Sequence, residues 1–504
     1  MASAKDVANR VPITACLMLA TVMTTLDSTI ANVALPHMQG SFSATQDQMA
    51  WVLTSYIVAA AVMTPLTGWA AGRIGRRQMF LIAIAGFTVA SMLCGSATSL
   101  AEMVIYRVLQ GFCGACMIPL SQSVMLDLFP PHQVGQMMSI WGAGTLLGPV
   151  FGPLIGGWLT QDFSWRWVFY INVPLGLATM AGAWVFMSPD RSAQTRRLDF
   201  IGYLSLVAFI TGLQLVLDRG PTQDWFSSPE IWTEAIVSGI GLYIFLVQTL
   251  TAEKPFFDRA LFTNTNFLLA MVFSAVISVL LFSTMALQPP MMQGLMNYPV
   301  LTTGIIMMPR GVGSLLSMLI AGQLVGRVDL RLITGFGLVL STAAMLQMSQ
   351  FDLSMTDLPF ITSGMLQGFS TGFMFVPMTT VAFGTLDPRL RPDGTSAFAM
   401  MRSLTQSVGI SIMVALFTVQ TAVAHGDLSG AVQPSNPVFD AGMAGPATPG
   451  ALEALNAEIT RQASMIGYID VYHLMFVSGL IVMPLALLLR IPKQATPAKD
   501  IVME

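Results

Sequence analysis

The chain has 504 residues, of which 54% are hydrophobic and only 10% are charged. Soluble globular proteins carry charge on about a quarter of their residues, so this composition excludes an ordinary soluble protein. The 23 Lys and Arg nearly balance the 26 Asp and Glu, which also excludes the basic surface of a nucleic-acid-binding protein. We therefore expect a protein embedded in a lipid bilayer and predict no nucleic-acid partner.

Apolar stretches recur along the whole chain, at about the 20 residues that a helix needs to cross a bilayer. Because a backbone in lipid has to satisfy its own hydrogen bonds, these stretches predict helices and an all-α polytopic membrane protein. The first stretch is too long for a signal peptide and contains Asp27, so it counts as a span. Fourteen spans are predicted, at residues 12–36, 51–71, 78–98, 101–125, 136–159, 167–187, 200–217, 231–250, 266–290, 300–322, 332–349, 358–382, 396–419 and 468–489.

The positive charges predict the orientation of these spans. With the N-terminus inside the cell, 17 Lys and Arg fall in cytoplasmic loops, 3 in outer loops and 3 within spans, which accounts for all 23. Cytoplasmic loops of membrane proteins are enriched in Lys and Arg. We therefore expect both termini to be cytoplasmic.

Three short motifs occur twice at a nearly constant separation. MQG and G-x-x-x-G-R return after 254 residues, and LQGF returns after 257 residues. Transporters are commonly built from duplicated halves. The pairs are 38–40 with 292–294, 68–73 with 322–327, and 109–112 with 366–369.

The repeats predict two homologous six-helix bundles that face each other across a central cavity. We place the first bundle at 1–188 and the second at 263–504, with a two-helix linker insertion at 189–262. An outer loop rich in Ala, Gly and Pro is expected at 420–467.

Asp27 is the one acidic residue that lies deep in a predicted span. A charge at this depth is costly, so such residues usually face a cavity or a partner and serve function. Arg107, in the fourth predicted span, lies at a compatible depth. Since an arginine favours the ionised carboxylate and apolar surroundings favour the protonated one, we hypothesise that Asp27 carries a coupling proton and Arg107 tunes it. The alternative is a static ion pair that fixes the two spans together.

Two other arginines, Arg310 and Arg402, lie within predicted spans without an acidic partner at similar depth. A structural or gating role, contact with anionic substrates and the lining of a water-filled cavity all stay open for them. Packed helices also use polar side chains for hydrogen bonds between helices. The candidates for lining a substrate cavity are Asn32, Gln110, Gln288, Arg310 and Gln367.

Four glycines in the fifth predicted span are four residues apart, with two prolines between them. Small residues at this spacing form a flat stripe for another helix, and prolines bend a helix. We expect this glycine stripe to seal the interface between the two bundles. The residues are Gly144, Gly148, Pro149, Gly152, Pro153 and Gly156.

The sequence motifs argue against an enzyme. None of the lysines follows a G-x-x-x-x-G loop, so the motif of a P-loop ATPase is missing. GFSTG at 368–372 matches a hydrolase pattern, but it lies within a predicted helix. The four histidines lack the spacing of zinc ligands. We predict no enzymatic activity, no cofactor and no resident metal.

Several motifs resemble those of the major facilitator superfamily, and within it the fourteen-span drug:proton antiporters of the EmrB type. The resemblance covers nearly the whole chain, and the motifs fall on the expected spans in the expected order. They are LDSTIANVALP at 26–36, GWAAGRIGRR at 68–77, RVLQGFCGA at 107–115, GAGTLLGPVFGPLIGG at 142–157, WRWVFYINVPLG at 165–176 and DWFSSPEI at 224–231.

This resemblance implies export of hydrophobic or amphipathic drugs from the cytoplasm in exchange for protons, across the inner membrane of a bacterium. It implies a periplasmic adaptor and an outer-membrane channel as partners, and it makes Gly68, Arg73 and Arg76 gating candidates, with Arg402 assigned to gating or packing. A glycine stripe goes with export in this family. Where the family's loop motif often has an acidic residue, this chain has Gly72, so the usual gating ion pair lacks its acidic member there.

Two alternatives stay open at this point. One is a facilitator or importer of a specific small solute, which accumulation of substrate inside cells would favour. The other is a receptor or channel-like membrane protein, which full function of an Asp27→Asn variant would favour.

Overall fold

The computed structural model describes residues 6, 8–130, 133–189, 197–431 and 449–484. Within these residues every regular element is a helix, and a helix or a pair of helices occupies each predicted span. The bounds of spans 1 to 8 are Arg10–Phe42, Gln46–Met63 with Thr67–Ile74, Arg76–Ser96, Leu100–Gly114 with Met117–Leu128, Val134–Asp162, Trp167–Tyr170 with Asn172–Phe186, Phe200–Arg219 and Pro229–Thr251. The bounds of spans 9 to 14 are Thr265–Pro290, Val300–Leu324, Leu330–Met348, Leu358–Gly384, Arg391–Ala431 and Pro449–Val482.

Thirteen of these spans are long and apolar enough to cross a membrane. Twelve qualify as single stretches, and the bent pair of span 2 makes the thirteenth within the described residues. Span 12 is the exception, because it is long but rich in Gly, Ser and Thr. It buries 18 of its 27 residues, so its surface faces protein more than lipid.

Prolines explain where spans 4 and 6 are broken. A proline cannot donate to the carbonyl four residues earlier, and its ring clashes with that carbonyl. Span 4 breaks after Gly114, five residues before Pro119. Span 6 breaks after Tyr170, four residues before Pro174. Span 2 bends by 58° where Pro65 separates its two helices.

Side-chain caps fix where several spans begin. The Thr45 hydroxyl accepts from the Gln48 amide at 3.3 Å, and the Gln48 side chain accepts from the Thr45 amide at 3.0 Å. This reciprocal pair satisfies two amides that the first turn of span 2 leaves free. Gly75, with φ of 97°, joins span 2 to span 3 in a conformation that favours glycine.

The two halves have separate hydrophobic cores on one side of the bundle. We call the side where span 1 begins the N-terminal side, and the side where it ends the far side. Towards the far side, one core contains residues of spans 1 to 6, such as Ile30 and Trp165. Another contains residues of the second half, such as Met348 and Tyr472. The two cores have no residue in common.

On the N-terminal side, two hydrophobic cores each include residues of both halves. One contains Leu17, Met125 and Trp141 of the first half together with Met318 and Phe375 of the second. The rings of Trp141 and Phe375 are stacked at 6.2 Å between centroids. Among the described residues, the halves therefore share hydrophobic cores on the N-terminal side, whereas the cores towards the far side are separate.

Spans 7 and 8 lie outside the two six-span groups. In span 7, the Tyr203 hydroxyl donates to the Val62 carbonyl of span 2 at 3.1 Å, and the Leu217 carbonyl accepts from Ser411 of span 13 at 3.2 Å. Span 8 packs against span 7, where Ser238 donates to the Phe209 carbonyl at 3.0 Å. Span 7 thus contacts both halves.

Much of the predicted outer loop at 420–467 is helical. Span 13 continues to Ala431 and span 14 already begins at Pro449, while residues 432–448 lie outside the described part. The rings of Phe417 and Tyr468 approach to 4.2 Å between the two helices. The predicted outer loop at 420–467 therefore contains helical extensions of both spans, where the alanines favour helix.

Candidate functional site

A fully buried ion pair joins spans 1 and 4. Arg107 Nη1 donates to Asp27 Oδ2 at 2.8 Å, and neither side chain is exposed. The other carboxylate oxygen, Oδ1, accepts from Gln110 Nε2 at 2.7 Å and from Asn172 Nδ2 at 2.8 Å. Ser91 Oγ accepts from the same two amides, at 2.6 and 3.2 Å. One cation and two amides, from spans 4 and 6, therefore hold Asp27.

Further contacts fix the Arg107 guanidinium. Its Nε donates to the Val52 carbonyl at 3.0 Å, and Nη1 also donates to Gln110 Oε1 at 2.7 Å. The rings of Tyr56 and Phe169 lie 4.2 and 5.8 Å from its Cζ, within the range in which a ring attracts a cation. Nη2 has no hydrogen-bond partner among the described residues. One donor of this network is therefore unused.

The network joins three spans through one carboxylate. Arg107 and Gln110 reach Asp27 from span 4, and Asn172 reaches it from span 6. A movement of span 1 against either of these spans would therefore break hydrogen bonds of the carboxylate.

The second half contains a buried polar cluster around Arg310 of span 10. Arg310 Nη1 donates to Gln288 Oε1 at 3.2 Å, and Nη2 donates to the Thr284 hydroxyl, both in span 9. Gln367 of span 12 donates to the Thr284 hydroxyl at 2.7 Å and to the Leu280 carbonyl at 3.3 Å. The structure thus brings Gln288, Arg310 and Gln367 together, as one set of the predicted cavity residues.

The predicted cavity residues are not all in one place. Gln110 belongs to the Asp27 network, whereas Gln288, Arg310 and Gln367 form the cluster of the second half. Asn32 is exposed on span 1 and donates to the Ser28 carbonyl of its own helix at 3.4 Å. A role in lining a cavity stays a prediction for all five.

One close contact between helices occurs in both halves. A Cβ atom at Gly111 would lie 2.3 Å from the carbonyl oxygen of Tyr56, and one at Gly368 would lie 1.9 Å from that of Arg310. Gly111 and Gly368 are 257 residues apart, and Tyr56 and Arg310 are 254 apart, the separations of the repeated motifs. The shared contact supports the duplication of the two halves.

A three-membered ion cluster connects the halves on the N-terminal side. Arg76 Nη1 lies 2.5 Å from Asp127 Oδ2, and Arg391 Nη1 of span 13 lies 2.8 Å from Asp127 Oδ1. Arg391 also donates to the Leu126 carbonyl at 2.9 Å. Arg76 therefore does have an acidic partner. That partner is Asp127 at the end of span 4, whereas the position of the family's acidic residue is occupied by Gly72.

Two repeated glycines also lie at contacts between the halves. A Cβ atom at Gly68 would lie 2.4 Å from Asp393 Oδ1 at the start of span 13. Its repeat partner Gly322, in span 10, faces Ser139 of span 5, whose Oγ would lie 2.2 Å from the added Cβ. The repeated motif therefore lets each half approach the other closely on the N-terminal side.

The glycine stripe of span 5 packs within its own half. Cβ atoms at Gly148, Gly152 and Gly156 would meet Thr25, Thr29 and Ile30 of span 1, and one at Gly144 would meet Met18. The expectation that the stripe seals the interface between the bundles is therefore wrong. Four-residue spacing defines a flat face but not the neighbour against which it packs. Span 5 remains one continuous helix through Pro149 and Pro153.

The remaining predicted arginines do not join the ion cluster. Arg73 is exposed and lies over the Trp69 ring at 5.6 Å. Arg402 is partly exposed within span 13, and its side chain forms no hydrogen bond or ion pair among the residues that the structure describes. Their roles stay predictions.

Several residues of these clusters were not identified from the sequence. Asn172 lies in the motif at 165–176 and is a polar residue within an apolar span, which is a usable signal. Tyr56, Thr284 and Asp127 gave no signal, because their contacts depend on helix rotation and on partners far away in the chain.

Two related groups of helices, each with a buried polar cluster, define a multi-span membrane carrier. The model of the Major Facilitator Superfamily matches residues 17–410. The chain belongs to the major facilitator superfamily.

Named relatives cover most of the chain. The Multidrug export protein EmrB of Haemophilus influenzae (strain ATCC 51907 / DSM 11121 / KW20 / Rd) is 34% identical over 428 residues, 84% of each chain. EmrB of Escherichia coli (strain K12) is 33% identical over 432 residues, 85% of this chain and 84% of that one. The Fatty acid resistance protein FarB of Neisseria gonorrhoeae is 30% identical over 486 residues, 95% of this chain and 96% of that one.

Two solved structures share the fold. The human organic anion transporter MFSD10 (TETRAN) superposes with a TM-score of 0.60 over 92% of this chain and 98% of that one. The proton:xylose symporter XylE gives 0.56 over 94% and 95%. Both are 14% identical in sequence, so they show the fold alone.

Proposed function

We propose that the protein exports hydrophobic or amphipathic drugs from the cytoplasm in exchange for protons. The observation that carries this proposal is the buried network of Asp27 with Arg107, Gln110 and Asn172. A carboxylate that is completely buried yet hydrogen-bonded is expensive to keep in a membrane bundle, and such residues mark proton pathways. The relatives named as multidrug export proteins support the substrate class.

In this proposal Asp27 carries the coupling proton and Arg107 sets its charge state. Residues 1–188 and 263–504 move as two bodies, with 189–262 as the linker. Two bodies that rock about a site near the middle of the bilayer expose it to one side at a time. The shared cores on the N-terminal side and the separate cores towards the far side support a state that opens towards the far side.

The ion cluster of Arg76, Asp127 and Arg391 closes the N-terminal side in this state, with Gly68 allowing the close approach. Opening on that side requires Arg391 to leave Asp127, since the two residues belong to different halves. The glycine stripe then has the role of holding span 5 on span 1, so that these spans move together.

We place the N-terminal side in the cytoplasm, with both termini there, in the inner membrane of a bacterium. The excess of Lys and Arg on that side supports this orientation. The helical extensions of spans 13 and 14 then lie in the periplasm, on the same side as the loop between spans 7 and 8. We propose this surface for contact with a periplasmic adaptor, which would connect the carrier to an outer-membrane channel.

The decisive experiment is drug-driven proton release from acid-loaded proteoliposomes. Asp27→Asn is the test variant, and Asp352→Asn, an exposed residue of the loop between spans 11 and 12, is the matched control. We expect drugs to release protons with the wild type and the control but not with Asp27→Asn. Release that persists in Asp27→Asn would move the coupling site elsewhere. Drug uptake by the wild type without any proton release would support a facilitator.

A further inference from the structure

The polar cluster of the second half contains a buried cation without a carboxylate. Arg310 is 5% exposed, and its side chain donates only to the neutral oxygens of Gln288 and Thr284. Its Nε has no hydrogen-bond partner among the described residues, nor does the hydroxyl of the fully buried Tyr472. A buried guanidinium is stable only with compensating negative charge or strong acceptors. The cluster therefore has unused capacity to hold an anion.

The surrounding spans offer no internal acid. Spans 9, 10, 11 and 12 contain no Asp or Glu in their sequences. Span 14 contributes Tyr472 to the hydrophobic core around the cluster and also contains Asp470. Asp470 lies two residues before Tyr472, about 200° around the helix, and so projects from nearly the opposite face. Among the described residues of these spans, no carboxylate is in place to supply the negative charge.

The repeat shows what is missing. Gln367 stands 257 residues after Gln110, which donates to Asp27 in the first half. The position 257 residues after Arg107 is Gly364, and the cation enters instead from span 10, at Arg310. The position 254 residues after Asp27 is Leu281. The second half thus has the amide and a cation in its cluster, and no acid stands at the position that corresponds to Asp27.

We propose that the Arg310 cluster binds the anionic group of a transported compound, a carboxylate or a comparable single anion on an apolar body. The ligand supplies to Arg310 the charge that Asp27 supplies to Arg107. This inference rests on the proposed export function. It names lipophilic acids as one class of its substrates.

The position of the cluster gives such a ligand an apolar contact. The Arg310 side chain reaches Gln288 of span 9 within its own half. The sulfur of Met348 lies 3.7 Å from Gln288 Nε2. A flexible thioether adapts to apolar groups of different shape, so the apolar part of a bound acid could rest on Met348.

The test compares two ligands that differ only in charge. The probe is 11-(dansylamino)undecanoate, and its primary amide is the neutral control; both are titrated by fluorescence into the purified full chain in detergent at pH 7.5. We expect the acid to bind about tenfold more tightly than the amide, the effect of a charge-assisted hydrogen bond in a dry site. Arg310→Gln should weaken binding of the acid and leave the ratio of the two affinities near one.

A second pair of variants keeps Arg310 in place. Thr284→Asp puts a carboxylate where the Thr284 hydroxyl accepts from Arg310, and Thr284→Asn has a similar shape without the charge. We expect the aspartate to abolish the preference for the acid and the asparagine to keep it. Equal affinities for acid and amide in the wild type, or a preference that survives both Arg310→Gln and Thr284→Asp, would overturn the proposal. Because binding is measured without a gradient, failure of proton coupling is seen separately, in the proteoliposome experiment.

Discussion

The two buried polar clusters occupy related places in the two halves but differ in charge balance. Around Asp27 a carboxylate, a guanidinium and two amides satisfy one another, and the structure leaves only Arg107 Nη2 and the Asn172 oxygen without partners in that network. Around Arg310 a guanidinium meets only neutral oxygens. The same helical frame thus carries an internally paired charge in one half and an unpaired one in the other. In the two proposals made above, the duplicated fold assigns ion coupling to one half and ligand recognition to the other.

Replacing the two arginines by the same residue tests this difference most strongly. Arg107→Gln leaves Asp27 buried without its cation, which lowers the free energy of unfolding by about 3–5 kcal/mol. Arg310→Gln removes a buried charge that has no internal partner, so we expect equal or higher stability. Thermal and denaturant unfolding of both variants in one detergent give the comparison.

The double variant Asp27→Asn with Arg107→Gln is the control for the first effect. Because it removes both charges, it should recover much of the stability that Arg107→Gln loses. A fall in stability that is equally large in Arg310→Gln would show that the two clusters do not differ as described.

The shared helix contact should respond alike in both halves. Gly111→Ala and Gly368→Ala place a methyl group against the carbonyls of Tyr56 and Arg310, and overpacking of this kind costs about 1–3 kcal/mol. We expect both variants to unfold at lower temperature than the wild type. Gly335→Ala, where an added Cβ meets open space, is the matched control. A loss of stability in only one of the two variants would contradict equivalent helix packing in the two halves.

The ion cluster on the N-terminal side should control how the halves separate there. Asp127→Asn weakens charged hydrogen bonds to Arg76 and Arg391, so the fraction open on that side should rise about tenfold. Spin labels at Ile74→Cys and Arg389→Cys, with the four native cysteines replaced, report this by pulsed distance measurement.

The matched control for the spin-label experiment is Glu253→Gln, an exposed acid on the same side. Its distance distribution should equal that of the wild type. An unchanged distribution in Asp127→Asn would show that the apolar core alone holds this side closed.

The smallest expected effect concerns Gly72, which stands where the family's loop motif often has an acidic residue. An added Cβ at Gly72 meets nothing within 4 Å, so Gly72→Ala should change stability by no more than about 1 kcal/mol, in the direction of greater helix propensity. Gly68→Ala, in the same helix but against Asp393, should lower stability. A lower unfolding temperature for Gly72→Ala than for Gly68→Ala would contradict this prediction.

The sequence predicted the helical fold and the charged pair for physical reasons that are local. Long apolar stretches define spans whatever their neighbours, and the depths of Asp27 and Arg107 follow from counting residues along two helices. The 254- and 257-residue shifts predicted the duplication because repeats are visible in one chain. A helix also occupies the stretch predicted as span 12, but among the described helices it is not one of the thirteen that are long and apolar enough to cross a membrane.

The missed contacts depend on how helices rotate against one another. The glycine stripe was assigned to the wrong neighbour, since spacing does not specify whether span 1 or the other half packs on it. Asp127 and Arg391 are 264 residues apart, and their meeting depends on the relation of the two halves. Asn172 needed the rotation of span 6 to be placed on Asp27.

Span 13 is one uninterrupted helix of 41 residues, about 62 Å long at 1.5 Å per residue. It starts at Arg391, in the ion cluster, and ends at Ala431, beyond the contact of Phe417 with Tyr468. A rigid helix of this length would act as a lever, since a tilt of about 5° displaces its far end by about 5 Å. Breaking the ion pair at one end would then move the other end without any change of the helix itself.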